Sequence, residues 1–494
     1  MSFTKPKLSF WQIINMNVGF FGIQYSFGLQ QSAVNPIYDF LGAKPDEIPW
    51  LNLAGPLTGL IIQPIIGALS DKTWHPKFGR RKPYFLIGAI LCSIALFLFP
   101  FSSSLWMAAG LLWILDAGNN TAMEPYRAFV ADKLDAKQQP TGFQAQSFFT
   151  GFGQTLANVS LFVFPLIIIG YTGKIPNWVF ASFFVGAVCS VLSVLWSMKT
   201  TPEIPPTPDE LEEIRKKNEG MPPLVLQFFL SIFTSLIAYA AIILLILPEI
   251  FARGTIKKVM NKLDKNRILK SLFAQNIEII EAITEMPRIM WQLALVYLFQ
   301  WYALFCYWQN SSKSIALSVY NATAENKELY EKAVGLAGLV NAWYNIITFI
   351  VAFALVGFAR KFSPKWVHFV CVLLAGIGFI IFPFIDNKVF LFVAISGFGV
   401  GWASMMGIPY LMVVKEIPKE RYGVYMGVIN MMIVIPMFIQ TVTFGFILKT
   451  FLHNNPGNAI LFAGVLLLIA ALCTLLIKSE KITDDFVLPA GGGH

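Results

Sequence analysis

The chain has 494 residues, of which 56% are hydrophobic and only 13% charged, with a mean hydropathy of +0.62. That balance excludes a water-soluble domain, because such a surface would not stay dissolved. A formal charge of +9, from 37 Lys plus Arg against 28 Asp plus Glu, raises the question of nucleic acid. The cations gather in alternate loops and form no basic stripe interleaved with aromatics, so no nucleic-acid partner is expected.

Lys5 and Lys7 precede a long apolar run without a small-residue cleavage site, so the first helix is expected to be retained rather than removed as a signal peptide. Apolar runs follow at about residues 11–36, 48–70, 84–101, 104–131, 143–170 and 177–198, each of the length a ~30 Å hydrocarbon core demands. After them, Thr207-Pro208-Asp209-Glu210 has the form of a capping box with Pro at the first helical position, opening a short charged helix. The stretch 223–251 is apolar, long enough for one crossing and too short for two. A simple crossing would invert everything after it, so a re-entrant, interfacial or laterally tucked segment is expected, offering a possible surface for a lateral partner. Residues 257–285 alternate Ile, Leu and Val with charges at helical spacing and predict a cytoplasmic amphipathic helix. Six further apolar runs fall at about 289–310, 332–357, 366–384, 388–414, 423–448 and 457–477.

Loop charge sets the orientation. Lys72, Lys77, Arg80, Arg81 and Lys82 follow segment two, Arg360, Lys361 and Lys365 follow segment eight, and Lys415, Lys419 and Arg421 follow segment ten. Those sides are expected in the cytoplasm, with both termini, and membrane lipid around the helices. The expectation is an all-α membrane protein of twelve helices in two six-helix bundles with an extra apolar segment in the central loop. Its parts would be an N-terminal bundle (1–200), a cytoplasmic central loop (201–285), a C-terminal bundle (286–480) and a tail (481–494).

The halves echo one another. Gln24-Tyr25 answers Gln300-Trp301, Leu53-Ala54-Gly55 answers Leu336-Ala337-Gly338, and Pro125-Tyr126 answers Pro409-Tyr410. The offsets are nearly constant, which suggests a duplicated six-helix unit in parallel orientation around a midplane site. Cys92, Cys189, Cys306, Cys371 and Cys473 lie apart inside apolar runs, and the four His are scattered, so no metal site and no cofactor are expected. Gly397, Gly399 and Gly401 follow no strand and read as helix-packing residues rather than a dinucleotide fingerprint.

Charged groups inside membrane segments need a function or a partner, and segment four holds Asp116, Glu124 and Arg127. Glu124 and Arg127 are neighbours on the helix and read equally as a satisfied ion pair or a gating element. Asp116 has no local cation and sits near the middle of its segment. Desolvation disfavours the charged form of a carboxylate, so one at this depth is suited to take up a proton on one side and release it on the other. The alternative is a structural Asp held by Asn119 and Asn120 or by a distant lysine. Amides are rare in lipid-facing positions, and together with flat aromatic faces they suit the wall of a ligand cavity. Segments one, four, seven, eight and ten supply Gln24, Gln30, Asn120, Gln300, Trp301, Trp308, Gln309, Asn341, Asn345, Trp402 and Tyr410 as candidates.

Gly67-Ala68-Leu69-Ser70-Asp71, followed by Gly79-Arg80-Arg81-Lys82, resembles the loop between helices two and three of the major facilitator superfamily, with about five extra residues between the Asp and the second Gly. An Asp at a helix end facing an Arg cluster forms charge-assisted bonds that hold one side shut in one state and break in another, so Asp71, Arg80 and Arg81 are gating candidates with Glu124 and Arg127. Gly55-Pro56, Gly59-Leu60, Gln63-Pro64, Phe78-Gly79-Arg80-Arg81 with Pro83, Asp116-Ala117-Gly118-Asn119-Asn120, Pro125-Tyr126-Arg127, Met286-Pro287-Arg288 and Gly427-Val428-Ile429-Asn430 resemble the sucrose transporters of plants and, better still, their bacterial relatives. The resemblance implies the glycoside:cation symporter group, with Asp116 as proton acceptor and Arg127 as an essential residue, in a bacterial inner membrane. The expected function is import of a neutral glycoside such as sucrose or maltose with a proton. The alternatives are a sodium-coupled or other-solute carrier of the same fold, or a sensor that no longer transports. No nucleophile-and-base or paired-ligand constellation points to an enzyme.

Overall fold

The computed structural model describes residues 6–135, 138–251, 282–283, 285–413 and 422–478. Its first half is built from α1 (Phe10–Leu41), a short α2 (Ile48–Leu51), α3 (Ala54–Asp71), α4 (Lys82–Leu98), α5 (Leu105–Lys133), α6 (Gln139–Ile167) and α7 (Asn177–Thr200). Then come α8 (Pro208–Asn218) and α9 (Leu224–Phe251). The second half is α10 (Arg288–Tyr320), α11 (Lys327–Phe362), α12 (Pro364–Ile381), α13 (Lys388–Val413), α14 (Tyr422–Thr450) and α15 (Pro456–Thr474). A two-stranded hairpin, Tyr171–Thr172 with Ile175–Pro176, joins α6 to α7.

Local chemistry sets the ends. Ser9 and Gln12 form a capping box at the start of α1, whose other end turns out through Gly42 at φ 91°, a left-handed conformation that costs glycine little. The capping box at Thr207 forms as expected, with the Thr207 N–H donating to Glu210 at 2.7 Å. Segment two is interrupted at Asn52, which separates α2 from α3 and brings its own amide to the inner face.

Ten stretches among the described residues are long and apolar enough to cross a membrane. α1 and α5, at 32 and 29 residues, have the length but not the apolarity, because α1 carries Gln24, Gln30, Gln31 and Asn35 and α5 carries Asp116, Glu124 and Arg127. With those ten they make the twelve-helix arrangement. Each half repeats one packing scheme: α1 lies along α6 and α7 as α10 lies along α14 and α15, α4 packs on α5 and α7 as α12 packs on α13 and α15, and α3 meets α5 as α11 meets α13. The halves meet through the related pairs α6 with α11 and α3 with α14.

The apolar insert is tucked laterally. Leu224, Phe228 and Ile232 of α9 pack on Ile61, Ile65 and Leu69 of α3, while Val225, Phe229 and Phe233 stay exposed on the far face. The amphipathic helix expected at 257–285 falls almost wholly outside the described residues.

Without a hydrophobic force between helices in lipid, close backbone approach at small residues does much of the packing. At Gly22 the α1 backbone meets α7 so closely that an added Cβ would overlap the Cys189 carbonyl and the Ser193 hydroxyl, whereas nothing lies near Gly110. Gly22→Val is therefore expected to cost on the order of 1–3 kcal/mol of stability. In detergent its melting temperature should drop well below that of Gly110→Val, and equal values for the two would contradict this packing.

Candidate functional site

A cavity of about 240 Å³ lies between the halves. That is several times the ~30 Å³ of one water, so there is room for more than a single bridging water. From the first half α1 contributes Phe27, Gln30, Gln31 and Asn35, and α5 contributes Asp116, Asn120 and Met123; Asn52, Gly55, Gly59 and Gln63 come from the α2–α3 region. From the second half, α10 contributes Trp301, Phe305, Trp308 and Gln309, α13 contributes Trp402 and Met406, and α14 contributes Asn430 and Met437.

Asp116 is 2% exposed. Its Oδ1 accepts from Gln30 Nε2 at 2.7 Å, and Asn119 Nδ2 donates to Gln30 Oε1 at 3.1 Å, which fixes the direction of the Gln30 amide. Oδ2 has no hydrogen-bond partner among the described residues and faces the backbone of Gly55, where a Cβ would stand 3.6 Å away. No Lys or Arg is paired with this carboxylate in the described structure, and a buried carboxylate without a cation is costly to keep charged. A second run of amides lies beside it. Asn120 Nδ2 donates to Thr58 Oγ1 and to the Asp116 carbonyl, both at 3.0 Å, and Gln63 Nε2 donates to Asn120 Oδ1 at 2.6 Å. Asn430 Nδ2 from the other half donates to Gln63 Oε1 at 2.7 Å.

Facing these amides, Trp402 meets Trp301 and Trp308 edge-on, with ring centroids 5.6 and 5.7 Å apart, and Phe305 stands 5.9 Å from Trp308. Trp301 and Trp308 come from α10 and Trp402 from α13, so packing between the two helices sets the planes of the rings. One wall of the cavity is thus polar and acidic and the other aromatic.

Of the sequence candidates, Gln30, Asn120, Trp301, Trp308, Gln309 and Trp402 line this cavity together with Asp116. Five others do not. Gln24 Oε1 accepts from Gln154 at 2.8 Å behind α1, Asn341 is held between Ser32 and Tyr307, and Asn345 donates to the Asn341 carbonyl. Gln300 and Tyr410 are buried in the second half, on helices whose other faces reach the cavity. A helix turns a residue's neighbour by about 100°, so Trp301 lines the cavity where Gln300 does not. Sequence reasoning missed Gln31, Asn35, Asn52, Gln63 and Asn430 as site residues, although the rarity of amides in membrane segments flags them as readily as Gln30.

The two ends of the molecule differ. At the C-terminal end of α1 the halves are tied together. Lys313 of α10 lies 3.5 Å from Asp39, whose carboxylate also takes the Tyr330 hydroxyl; Lys449 lies 3.5 Å from Asp46, and Trp178 Nε1 donates to Glu331 at 2.8 Å. At the opposite end the gating candidates form a cluster within the first half. Arg81 pairs with Asp71 at 2.6 Å and with Asp132 at 2.8 Å and donates to Ser70, while Arg80 lies 3.6 Å from Asp71. Glu124 and Arg127 pair with each other at 2.8 Å.

The cluster includes Glu203, just beyond α7. Its carboxylate accepts from the backbone N–H groups of Arg80, Arg81 and Lys82 at 2.8, 3.0 and 2.9 Å, the free amides that open α4. Gly79, at φ 80°, is needed on two counts: its conformation is left-handed, and a Cβ would overlap Glu203. The extra residues before it form a small turn, closed by the N–H and C=O groups of His75 and Gly79.

The sequence profile of the Major Facilitator Superfamily matches residues 16–441, and the chain belongs to that superfamily, a family of transporters and not of enzymes. Sucrose transport protein SUT5 of Oryza sativa subsp. indica is 22% identical over an alignment covering 96% of this chain and 88% of that one. Sucrose transport protein SUC3 of Arabidopsis thaliana is 32% identical over 142 residues, 24% of each chain. Among solved structures, the nucleoside transporter NupG shares the fold at TM-score 0.61 and 13% identity, covering 95% of this chain and 98% of that one. The xylose transporter XylE from E. coli, in a partially occluded inward-open conformation, also has TM-score 0.61 and 13% identity, covering 96% and 99%. The protein is therefore an integral membrane transporter homologous to sucrose transporters.

Removing the Glu203 carboxylate leaves three amides at the start of α4 without their acceptor. In Glu203→Ala, hydrogen exchange at Arg80, Arg81 and Lys82 is expected to quicken by roughly tenfold, the value of one lost charge-assisted bond. Exchange at the wild-type rate would mean that another group holds them.

Proposed function

We propose that the protein imports a neutral glycoside, a disaccharide such as sucrose or maltose, together with a proton by alternating access. The observation that carries this reading is the placement of Asp116. A carboxylate with one unbonded oxygen lies in the same cavity as three indoles and a set of amides, so proton and sugar chemistry share one space. The names of the homologous sucrose transporters support the substrate class.

In this reading Asp116 takes up the proton, and Gln30 sets the carboxylate's position. Asn120 and Gln309 meet sugar hydroxyls, while Trp301, Trp308 and Trp402 cover the apolar ring faces. The basic end lies in the cytoplasm by the positive-inside rule, with both termini, in a plasma membrane that is a bacterial inner membrane. The end tied by Asp39, Lys313 and Tyr330 is then external, and the molecule faces inward. Opening to the outside would break those bonds, and the Asp71, Arg81 and Asp132 cluster would hold the inner side of the first bundle. Residues 1–200 and 286–480 rock as two bodies, with 201–285 as the cytoplasmic connection. One charge moving through 100 mV is worth ~2.3 kcal/mol, enough at ~1.4 kcal/mol per tenfold for about 40-fold accumulation.

The test is reconstitution with a pH-sensitive dye inside liposomes and sucrose, maltose or related glycosides added outside. One of these sugars is expected to acidify the lumen, and Asp116→Asn is expected to abolish the signal while the protein stays folded. Sugar uptake driven by sodium, with no acidification, would replace the proton by sodium. If no glycoside is taken up at all, a carrier of another solute or a sensor that no longer transports takes its place.

A further inference from the structure

The Gln63–Asn430 bond joins side chains from opposite halves, both lining the cavity, on a helix pair, α3 with α14, through which the halves meet. Its position has a chemical consequence. Each amide carries a donor and an acceptor, and here Gln63 Oε1 and Asn430 Nδ2 satisfy each other while Gln63 Nε2 is committed to Asn120. A hydroxyl group is donor and acceptor at once. It fits between the two by accepting from Asn430 Nδ2 and donating to Gln63 Oε1, so that one bond is replaced by two with no polar group left unpaired.

Insertion also changes a distance. Two hydrogen bonds in series through one oxygen, each about 2.8 Å, hold their outer atoms roughly 4.5 Å apart. The present separation is 2.7 Å. Occupancy by a hydroxyl therefore parts the two side-chain ends by on the order of 2 Å, through rotation of the side chains or separation of α14 from α3 at this level. Gln63 reaches the Asp116 turn of α5 through Asn120, whose Nδ2 bonds the Asp116 carbonyl. The same pair thus touches the solute, the interface of the halves and the helix that carries the carboxylate.

We propose that the Gln63–Asn430 pair is a hydroxyl-reading bridge: one hydroxyl of a polyhydroxylated neutral solute replaces the amide–amide bond and so reports occupancy to both halves. This rests on the glycoside reading above and adds two residues that recognise one specific hydroxyl, with Gln63 and Asn430 acting on the solute directly.

The test uses the full-length protein in detergent, with binding followed by tryptophan fluorescence. The probes are sucrose or maltose, whichever the wild type binds, and the set of its monodeoxy analogues. One analogue is expected to bind the wild type roughly five- to tenfold more weakly than the parent sugar, because it makes neither of the two bonds that replace the amide–amide bond. In Gln63→Ala and in Asn430→Ala that ratio should fall toward one, while the ratios for the other analogues stay as in the wild type. A purely structural role would shift all ratios together or none. Should Asn430→Ala not be monodisperse, Asn430→Ser, which shortens the arm and keeps a polar end, is expected to show the same selective loss. Ratios unchanged for every analogue overturn the bridge and leave the glycoside reading standing. A wild type that binds no glycoside at all overturns both.

Discussion

A carboxylate placed deep in a helical membrane bundle, with no cation bonded to it, constrains everything around it. Ionised and dry, it would cost several kcal/mol, so its surroundings must supply hydrogen bonds, admit water or let it pick up a proton. Asp116 has one fixed donor, Gln30, and one oxygen left open beside Gly55. That half-satisfied state explains why the neighbouring positions on α1, α3 and α5 carry amides, and why α1 and α5 are too polar to be recognised as membrane spans by apolarity alone.

The duplicated architecture carries unequal chemistry. The two halves repeat their helix contacts pair by pair, yet the first supplies the carboxylate and most of the amides and the second supplies the three indoles. Motion of one bundle against the other then changes the distance between the ionisable wall and the aromatic wall. A solute touching both walls is sensitive to that distance, which is the physical requirement for coupling two ligands through one rearrangement. The asymmetry extends to the ends: bonds of Asp39 and Asp46 cross between the halves at one end, while the Asp71, Arg81, Asp132 and Glu203 cluster stays within the first half at the other.

Much of the fold was legible in the sequence because apolar run length and loop charge respond to the bilayer, whose thickness is fixed. The twelve helices and the place of the apolar insert in the chain, between the two halves, follow from that, whereas the capping box follows from the residues Thr207 and Glu210 themselves. The insert's contact with α3 did not, since a helix apolar all round gives no sign of which face packs. For the site, the cost of charge in lipid singled out Asp116, and rare amides singled out Gln30 and Asn120. The same reasoning also selected Gln24 and Asn341, which satisfy other amides or hydroxyls between packed helices. Composition reports that an amide needs a partner, and only the packing tells whether that partner is protein or solute. Glu203 escaped notice because its acceptors' partners are backbone amides, which leave no mark on residue type.

The central claim is that a neutral glycoside and one proton cross together through Asp116. The direct measurement is the reversal potential of the glycoside-dependent current in reconstituted membranes. In sodium-free buffer at equal pH on both sides, with one proton per neutral sugar, a tenfold glycoside gradient is balanced by about 60 mV, since a tenfold ratio is ~1.4 kcal/mol and 100 mV on one charge is ~2.3 kcal/mol. The account predicts that value in the wild type and no sugar-dependent current in Asp116→Asn. Sugar flux without current, or the same reversal potential in the mutant, would contradict it.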